Sequence, residues 1–291
     1  MKDKQTVIGH LTAVFTIFVW GTTYISTKIL LEYFKPVEIL MIRFVIGFLF
    51  LCILNPKRIK VEKAHEKYFI GAGLTGITLY YLLENIALTY TQATNVGVII
   101  AVAPFLTAIC SNLFLKKEKL HTFFLIGFAL AMVGIFMLSF NGSTAFHLNP
   151  LGDVLAFLAA VVWAVYSILI RKISDFGYGS IHVTRHTFFY GIIFMIPAMF
   201  LLNYHPDYSN LMNPKVLCNI LFLGFCASAI CFVTWNVAVK RLGAVKTSIY
   251  IYLVPVITTI TSVLILHEKI NLISVIGIVC TMAGLFLSNK K

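Results

Sequence analysis

Trp20 and Trp163 each stand in an apolar stretch with polar or aromatic company one helical turn away. Tyr24 follows Trp20 by four residues, and Tyr166 and Ser167 follow Trp163 by three and four. At those spacings each group shares a helix face. A second set reads Tyr80, Tyr81, Glu84 and Asn85, in which Tyr80–Glu84 and Tyr81–Asn85 are both i,i+4 pairs; Trp235, Asn236, Tyr250 and Tyr252 form a third. Rings that face one space attract a cation through their π faces, by about 0.5–2 kcal/mol per ring. Together they would suit a small substrate with an apolar body and a cationic head. The same rings could equally fill the core of a helix bundle, and residue types alone leave both uses open.

The elements that must carry these residues follow from composition. Of 291 residues, 59% are hydrophobic and only 12% charged, whereas a soluble domain carries about 25% charged residues. Apolar stretches long enough to cross ~30 Å of hydrocarbon as helices recur along the whole chain. They are expected near 8–28, 37–54, 68–88, 94–115, 121–140, 151–171, 181–202, 215–239, 244–266 and 272–288. The expected fold is therefore an all-α polytopic membrane protein of ten transmembrane helices, with the lipid bilayer as its surroundings. Lys and Arg are retained on the cytoplasmic side; with the N-terminus inside, 17 fall on cytoplasmic segments and 4 on outer ones, which places both termini in the cytoplasm. The net charge of +12 is explained by that distribution and requires no nucleic-acid partner. The loop Asn55–Lys67, the most strongly charged stretch, is expected to rest on anionic headgroups.

The two halves echo each other in spacing. Gly9 precedes Trp20 by eleven residues, as Gly152 precedes Trp163; Asn85 precedes Pro104 by nineteen, as Asn236 precedes Pro255. Glu118-Lys119-Leu120 stands before Gly127 and Gly134 as Glu268-Lys269-Ile270 stands before Gly277 and Gly284. Repeats of five helices, an odd number, must enter the membrane from opposite sides. The expected organisation is thus a first repeat over 1–145 and an inverted second over 146–291, an arrangement of secondary transporters with the substrate near the midplane.

On this frame particular residues acquire roles. Glu84 lies inside a span, where a charge costs at least about 2.5–3.5 kcal/mol near the centre, and its counterpart in the other half is Trp235. A desolvated carboxylate there could bind substrate or exchange a proton, coupling transport to the proton gradient; a salt bridge to Arg43 and a wet, snorkelling side chain are the structural alternatives. Arg43 and Arg185 occupy nearly equivalent places, which favours a shared structural duty such as capping carbonyls or anchoring lipid phosphate. Asn85 and Asn236 are suited to interhelical hydrogen bonds. Pro104 and Pro255 remove backbone donors in mid-span, freeing the carbonyls of Ile100 and Ile251, and are candidate hinges. Gly71, Gly73, Gly76, Gly127 and Gly134 are read as close-packing positions.

Trp20-Gly21-Thr22, the run from Ala87-Leu88-Thr89 through Pro104 to Glu118-Lys119, and its echo in the second half resemble the EamA-type repeats of the drug/metabolite transporter superfamily. The resemblance implies a ten-helix transporter that exports or exchanges small metabolites, often amino acids or related amphipathic compounds. It also implies a central cavity built mainly from helices 1, 3, 4, 6, 8 and 9, with helices 5 and 10 peripheral, in the cytoplasmic membrane of a bacterium. Uptake, exchange, or a substrate-binding subunit that moves nothing are the competing readings.

Other chemistry is not signalled. His65-Glu66 and His267-Glu268 each begin an HExxH-like string, but Phe69 and Asn271 occupy the fifth position, so no zinc pair forms. The chain has neither a GxSxG elbow nor a Walker A loop. The six cysteines lie in apolar segments without CxxC spacing and read as small core residues. No catalytic residue, metal or cofactor is expected. Asn141-Gly142-Ser143 is a formal glycosylation sequon.

Overall fold

Backbone amides in hydrocarbon find no water to bond, so each apolar stretch must satisfy its own ladder as a helix. The structure, a computed structural model, describes residues 2–57, 60–91, 93–115, 121–139, 149–266 and 271–290, among which no β-strand occurs. Arg58, Lys116, Lys117, the Glu118-Lys119-Leu120 and Glu268-Lys269-Ile270 anchors, His267 and the Asn141 sequon lie outside the described residues.

The helices are α1 (Lys2–Leu30), α2 (Pro36–Leu54), α3 (Lys63–Ala72), α4 (Tyr80–Tyr90), α5 (Ala93–Ile100), α6 (Ala103–Phe114) and α7 (Thr122–Ser139) in the first part of the chain. They continue as α8 (Pro150–Ser174), α9 (Ser180–Leu201), α10 (Pro214–Leu221), α11 (Cys231–Leu242), α12 (Ala244–Ser248), α13 (Leu253–Leu266) and α14 (Leu272–Ser288). Among the described residues, seven helical stretches are long and apolar enough to cross a membrane, and Thr122–Leu138 and Leu272–Ser288 are shorter apolar helices. This is a multi-pass membrane protein.

Local signals set the ends. Pro36, Pro150 and Pro214 open their helices, where the missing N–H is one of the donors left over anyway. Asn149, Asn213 and Asn271 cap the helices that follow them by accepting from backbone amides of Gly152, Lys215 and Ser274. Gly243, with φ 90°, takes a conformation that other residues disfavour and stops α11 just past Lys240 and Arg241.

Two of the expected spans contain wide-turn π segments. Gly73–Leu79 joins α3 to α4, and Phe222–Ile230 joins α10 to α11. Gly73 stands as far before Asn85 as Gly224 stands before Asn236. A π turn leaves carbonyls badly placed for the helix's own ladder; a distant donor takes one such carbonyl in the second segment, and a side chain of the first reaches out to a carbonyl of α9. Trp20 Nε1 donates to Ala227 O at 2.9 Å, and Thr78 Oγ1 donates to Gly191 O at 2.8 Å.

Two further helices are broken where proline removes a donor. The α5–α6 run is interrupted at 101–102, just before Pro104, and α13 is preceded by a 3₁₀ turn, Ile249–Tyr252, just before Pro255. Helices α7 and α14 pack on one another through glycines. A Cβ added at Gly134 would lie 2.5 Å from Thr281 N and 2.6 Å from Gly277 O, so this contact is backbone against backbone.

Candidate functional site

The three tryptophans converge although they come from distant parts of the chain. Trp20 and Trp163 meet edge to face at 5.3 Å between ring centres and 80°, and Trp235 lies 5.1 Å from Trp20 and 5.9 Å from Trp163. Tyr80 packs 4.7 Å from Trp163 and Tyr81 lies 4.8 Å from Tyr80. Such offset and T-shaped contacts are the favoured arrangement of ring quadrupoles. They leave beside them a cavity lined by Trp20, Tyr24, Tyr80, Tyr81, Glu84 and Trp163 among the residues singled out above. A mostly apolar, aromatic lining with one carboxylate among it is the chemistry of a small-molecule site.

Each wall has a local cause. Trp20, Thr23 and Tyr24 come from consecutive turns of α1. Tyr80, Tyr81 and Glu84 open α4 directly after the π segment, which turns the helix so that both adjacent tyrosines face the space. Ile100 and Ile251, whose carbonyls lose a helical donor to Pro104 and Pro255, both line the cavity, as does Val254. Gly97 faces it from α5, and a Cβ added there meets nothing within 4 Å.

Glu84 is 8% exposed and accepts a hydrogen bond from the Tyr80 hydroxyl at 3.0 Å; the Tyr24 hydroxyl addresses the same carboxylate. It forms no ion pair within 4.0 Å among the described residues, so the expected alternative of a salt bridge to Arg43 is not realised. Burial of Glu84 likewise argues against a wet, snorkelling side chain. Arg43 is itself buried, its Nε donating to Ser228 Oγ at 2.9 Å and its guanidinium carbon 4.6 Å from the centre of the Tyr81 ring.

The remaining candidates lie outside the cavity lining. Trp235 is fully buried behind Trp20, so α11 backs the wall without facing the space, and its indole nitrogen has no partner among the described residues. Tyr166 and Asn236 join each other at 3.4 Å, and Asn236 Nδ2 donates to Thr184 Oγ1 at 2.9 Å. Asn236 thus makes the interhelical bonds expected of it. Asn85 does not: it is fully buried, and neither polar atom of its side chain has a partner among the described residues. Tyr250 pairs with His10 Nδ1 at 2.6 Å. Arg185 caps the carbonyls of Asn55 and Lys57 beyond the end of α2, whereas Arg43 reaches a hydroxyl, so the two arginines do not share one duty.

Sequence reasoning missed Thr23, Gly97, Val254 and Phe232. The last is a fully buried ring within 6.3 Å of Trp20, Trp163, Tyr81 and Tyr166. Ile100 and Ile251 carried a signal, since each stands four residues before a mid-span proline. Among the described residues no group of three or more His, Cys, Asp or Glu is placed to hold a metal.

The sequence profile of the EamA-like transporter family matches residues 7–140 and again 150–290. The chain belongs to the EamA-like transporter family. This is a family of transporters rather than enzymes. The EamA-like chain is 27% identical to an uncharacterized transporter of Archaeoglobus fulgidus, over 97% of each chain. It is 24% identical to a probable terminal-alkyne amino-acid exporter of Streptantibioticus cattleyicolor, over 96% of this chain and 92% of that one. A solved crystal structure shares the fold with a TM-score of 0.77, at 21% identity over 99% of this chain and 97% of the other.

Proposed function

We propose that this EamA-like transporter is a secondary-active exporter of small organic metabolites, amino acids or related amphipathic and cationic solutes. It works by alternating access through the central cavity. In this reading ten helices cross the cytoplasmic membrane of a bacterium as two inverted five-helix repeats, 1–145 and 146–291, with both termini in the cytoplasm. The breaks before Pro104 and Pro255 are the pivots, Glu84 exchanges a proton with the gradient, and no nucleic acid takes part.

The observation that carries the reading is a carboxylate without a cationic partner at the wall of an aromatic cavity. Tyr80 holds Glu84 in place by a hydrogen bond and Tyr24 addresses the same carboxylate, no cation pairs with it directly among the described residues, and the surrounding rings present π faces. An ammonium group would gain both a charge-assisted hydrogen bond and cation–π attraction. The helix breaks at the cavity wall suit the discontinuous helices that transporters place at midplane sites. The related amino-acid exporter supports an amphipathic solute bearing an amino group.

Flux of labelled amino acids in proteoliposomes tests the proposal. Wild-type protein should show saturable flux that an imposed pH gradient drives, and Glu84→Gln should lose that drive. Gly97→Leu should plug the cavity without strain, because the glycine faces open space. It should abolish flux while raising the unfolding midpoint, since leucine exceeds glycine in helix propensity by about 0.8 kcal/mol. Saturable binding without flux would identify a sensor instead. Undiminished flux in Gly97→Leu would put the pathway elsewhere.

A further inference from the structure

Arg43 has no part in the reading above, yet it is the harder charge to account for. It is 1% exposed, it has only the Ser228 hydroxyl and the Tyr81 side chain as polar company, and its Nη2 has no partner among the described residues. A buried guanidinium without an anion is strongly unfavourable, and ionisable groups inside spans are tolerated chiefly where they pair or serve a pathway. The Tyr81 ring links it to the cavity. That ring is 4.6 Å from the guanidinium carbon on one contact and 4.8 Å from the Tyr80 ring, the donor to Glu84, on another. Arg43 is near enough to act on Glu84 electrostatically without pairing with it.

We infer that Arg43 sets the charge class the cavity accepts: a ligand of net charge zero that carries both an ammonium and an anionic group. The ammonium lies at Glu84 and the anionic group on the Tyr81 side, toward Arg43. This rests on the cavity being the substrate site, and it narrows the solutes proposed above by excluding those of net positive charge.

Charge must balance in a medium that screens poorly. Arg43 and an ionised Glu84 cancel. A zwitterion in the cavity leaves the sum at zero: its ammonium partners Glu84, and its anionic group, on the Tyr81 side, meets the field of Arg43 without touching it. A simple amine satisfies Glu84 but leaves Arg43 alone and the site net positive. Protonating Glu84 deepens the disadvantage of the amine, since the site is then positive before the ligand arrives. Exclusion of the amine therefore holds in either state of the carboxylate. Arg43 at its present depth reads the ligand's charge through Tyr81 and serves as a specificity residue.

The test uses three probes with one apolar body, phenylalanine, 2-phenylethylamine and 3-phenylpropanoate, in calorimetric titrations of the purified full-length protein. Wild type should bind phenylalanine about tenfold more tightly than 2-phenylethylamine, the worth of a poorly screened charge interaction across one ring. Arg43→Met should abolish that preference by improving the amine and weakening phenylalanine and 3-phenylpropanoate. Arg43→Lys, which keeps the charge, should restore the order. A purely structural arginine would lower stability in both variants without changing the ratio, and that result overturns the inference. If Arg43→Met does not fold, the wild-type ratio still decides: equal or tighter binding of the amine overturns it. Should that occur while Glu84→Gln still abolishes binding, the cavity remains the site and only the role of Arg43 falls. Binding of neither phenylalanine nor the amine to wild type overturns both.

Discussion

Two glutamates of this transporter accept hydrogen bonds from tyrosine hydroxyls, and they differ in everything else that matters. Glu66, at the start of α3, receives Tyr190 Oη at 2.7 Å and lies 2.9 Å from His186 Nε2, both from α9, with 29% of its side chain exposed. Its donors, its potential counter-charge and some water are all in place, so it ties α3 to α9 and has nothing left to offer. Glu84 has a phenol but no directly paired cation among the described residues and little exposure, and it faces a cavity. A carboxylate that is complete holds a structure together. One that is incomplete, and buried where charge is expensive, is in the proposed reading the place where a ligand binds.

The sharpest way to break this contrast is to neutralise each carboxylate in turn. Glu84→Gln removes the charge but keeps the shape, and ligand affinity should fall by about 10- to 100-fold, the worth of a hydrogen bond to a charged group. Its unfolding midpoint should hold or rise, because the cost of burying a carboxylate without a paired cation is gone. Glu66→Gln should do the reverse, leaving affinity unchanged and lowering the midpoint slightly. If both variants bind normally, the cavity carboxylate is no more functional than Glu66, at the partly exposed rim of the bundle where α3 meets α9.

A smaller effect probes the rings around Glu84. Trp163→Ala removes a π face from the cavity wall and should weaken an ammonium-bearing ligand by about 2- to 30-fold, the range of one cation–π contact. An uncharged isostere of the same ligand should lose less. At the rim, His65 stacks on Phe176 at 3.7 Å, and Phe176→Ala should leave affinity untouched. Equal losses for charged and uncharged ligands would reduce Trp163 to a packing residue.

Much of this arrangement was legible from residue types and spacing. Apolar runs in hydrocarbon have little choice but to be helical, and the equal intervals to Trp20 and Trp163 anticipated two rings in corresponding places, which meet. Pro104 and Pro255 announced their helix breaks because the missing donor is a covalent fact. The π segments were not legible, because they depend on donors that arrive from hundreds of residues away, as Trp20 does at Ala227. Nor was the fate of the asparagines: Asn85 and Asn236 look alike in sequence, but only Asn236 has Thr184 and Tyr166 opposite it. Gly97 was invisible for a different reason. A glycine in a span reads as close packing, and only the surrounding space shows that here it packs against nothing.

The smallest expected effect is the pH dependence of the rim. Burial alone would raise the Glu66 carboxyl, but hydrogen bonds from His186 and Tyr190 outweigh it and hold the group below its ordinary value of 4.5. A carboxylate whose folded value is depressed stabilises the protein above its unfolded value and loses that contribution as pH falls through the folded one. The group is partly solvated, so the contribution is about 0.5 kcal/mol, as for an exposed pair. Melting curves of wild type and Glu66→Gln should therefore differ by a small constant amount from pH 7 down to about pH 5, and converge below about pH 4.5. A gap that persists or widens under acid would mean that Glu66 acts through packing, and the distinction between a completed and an uncompleted carboxylate would have to rest on Glu84 alone.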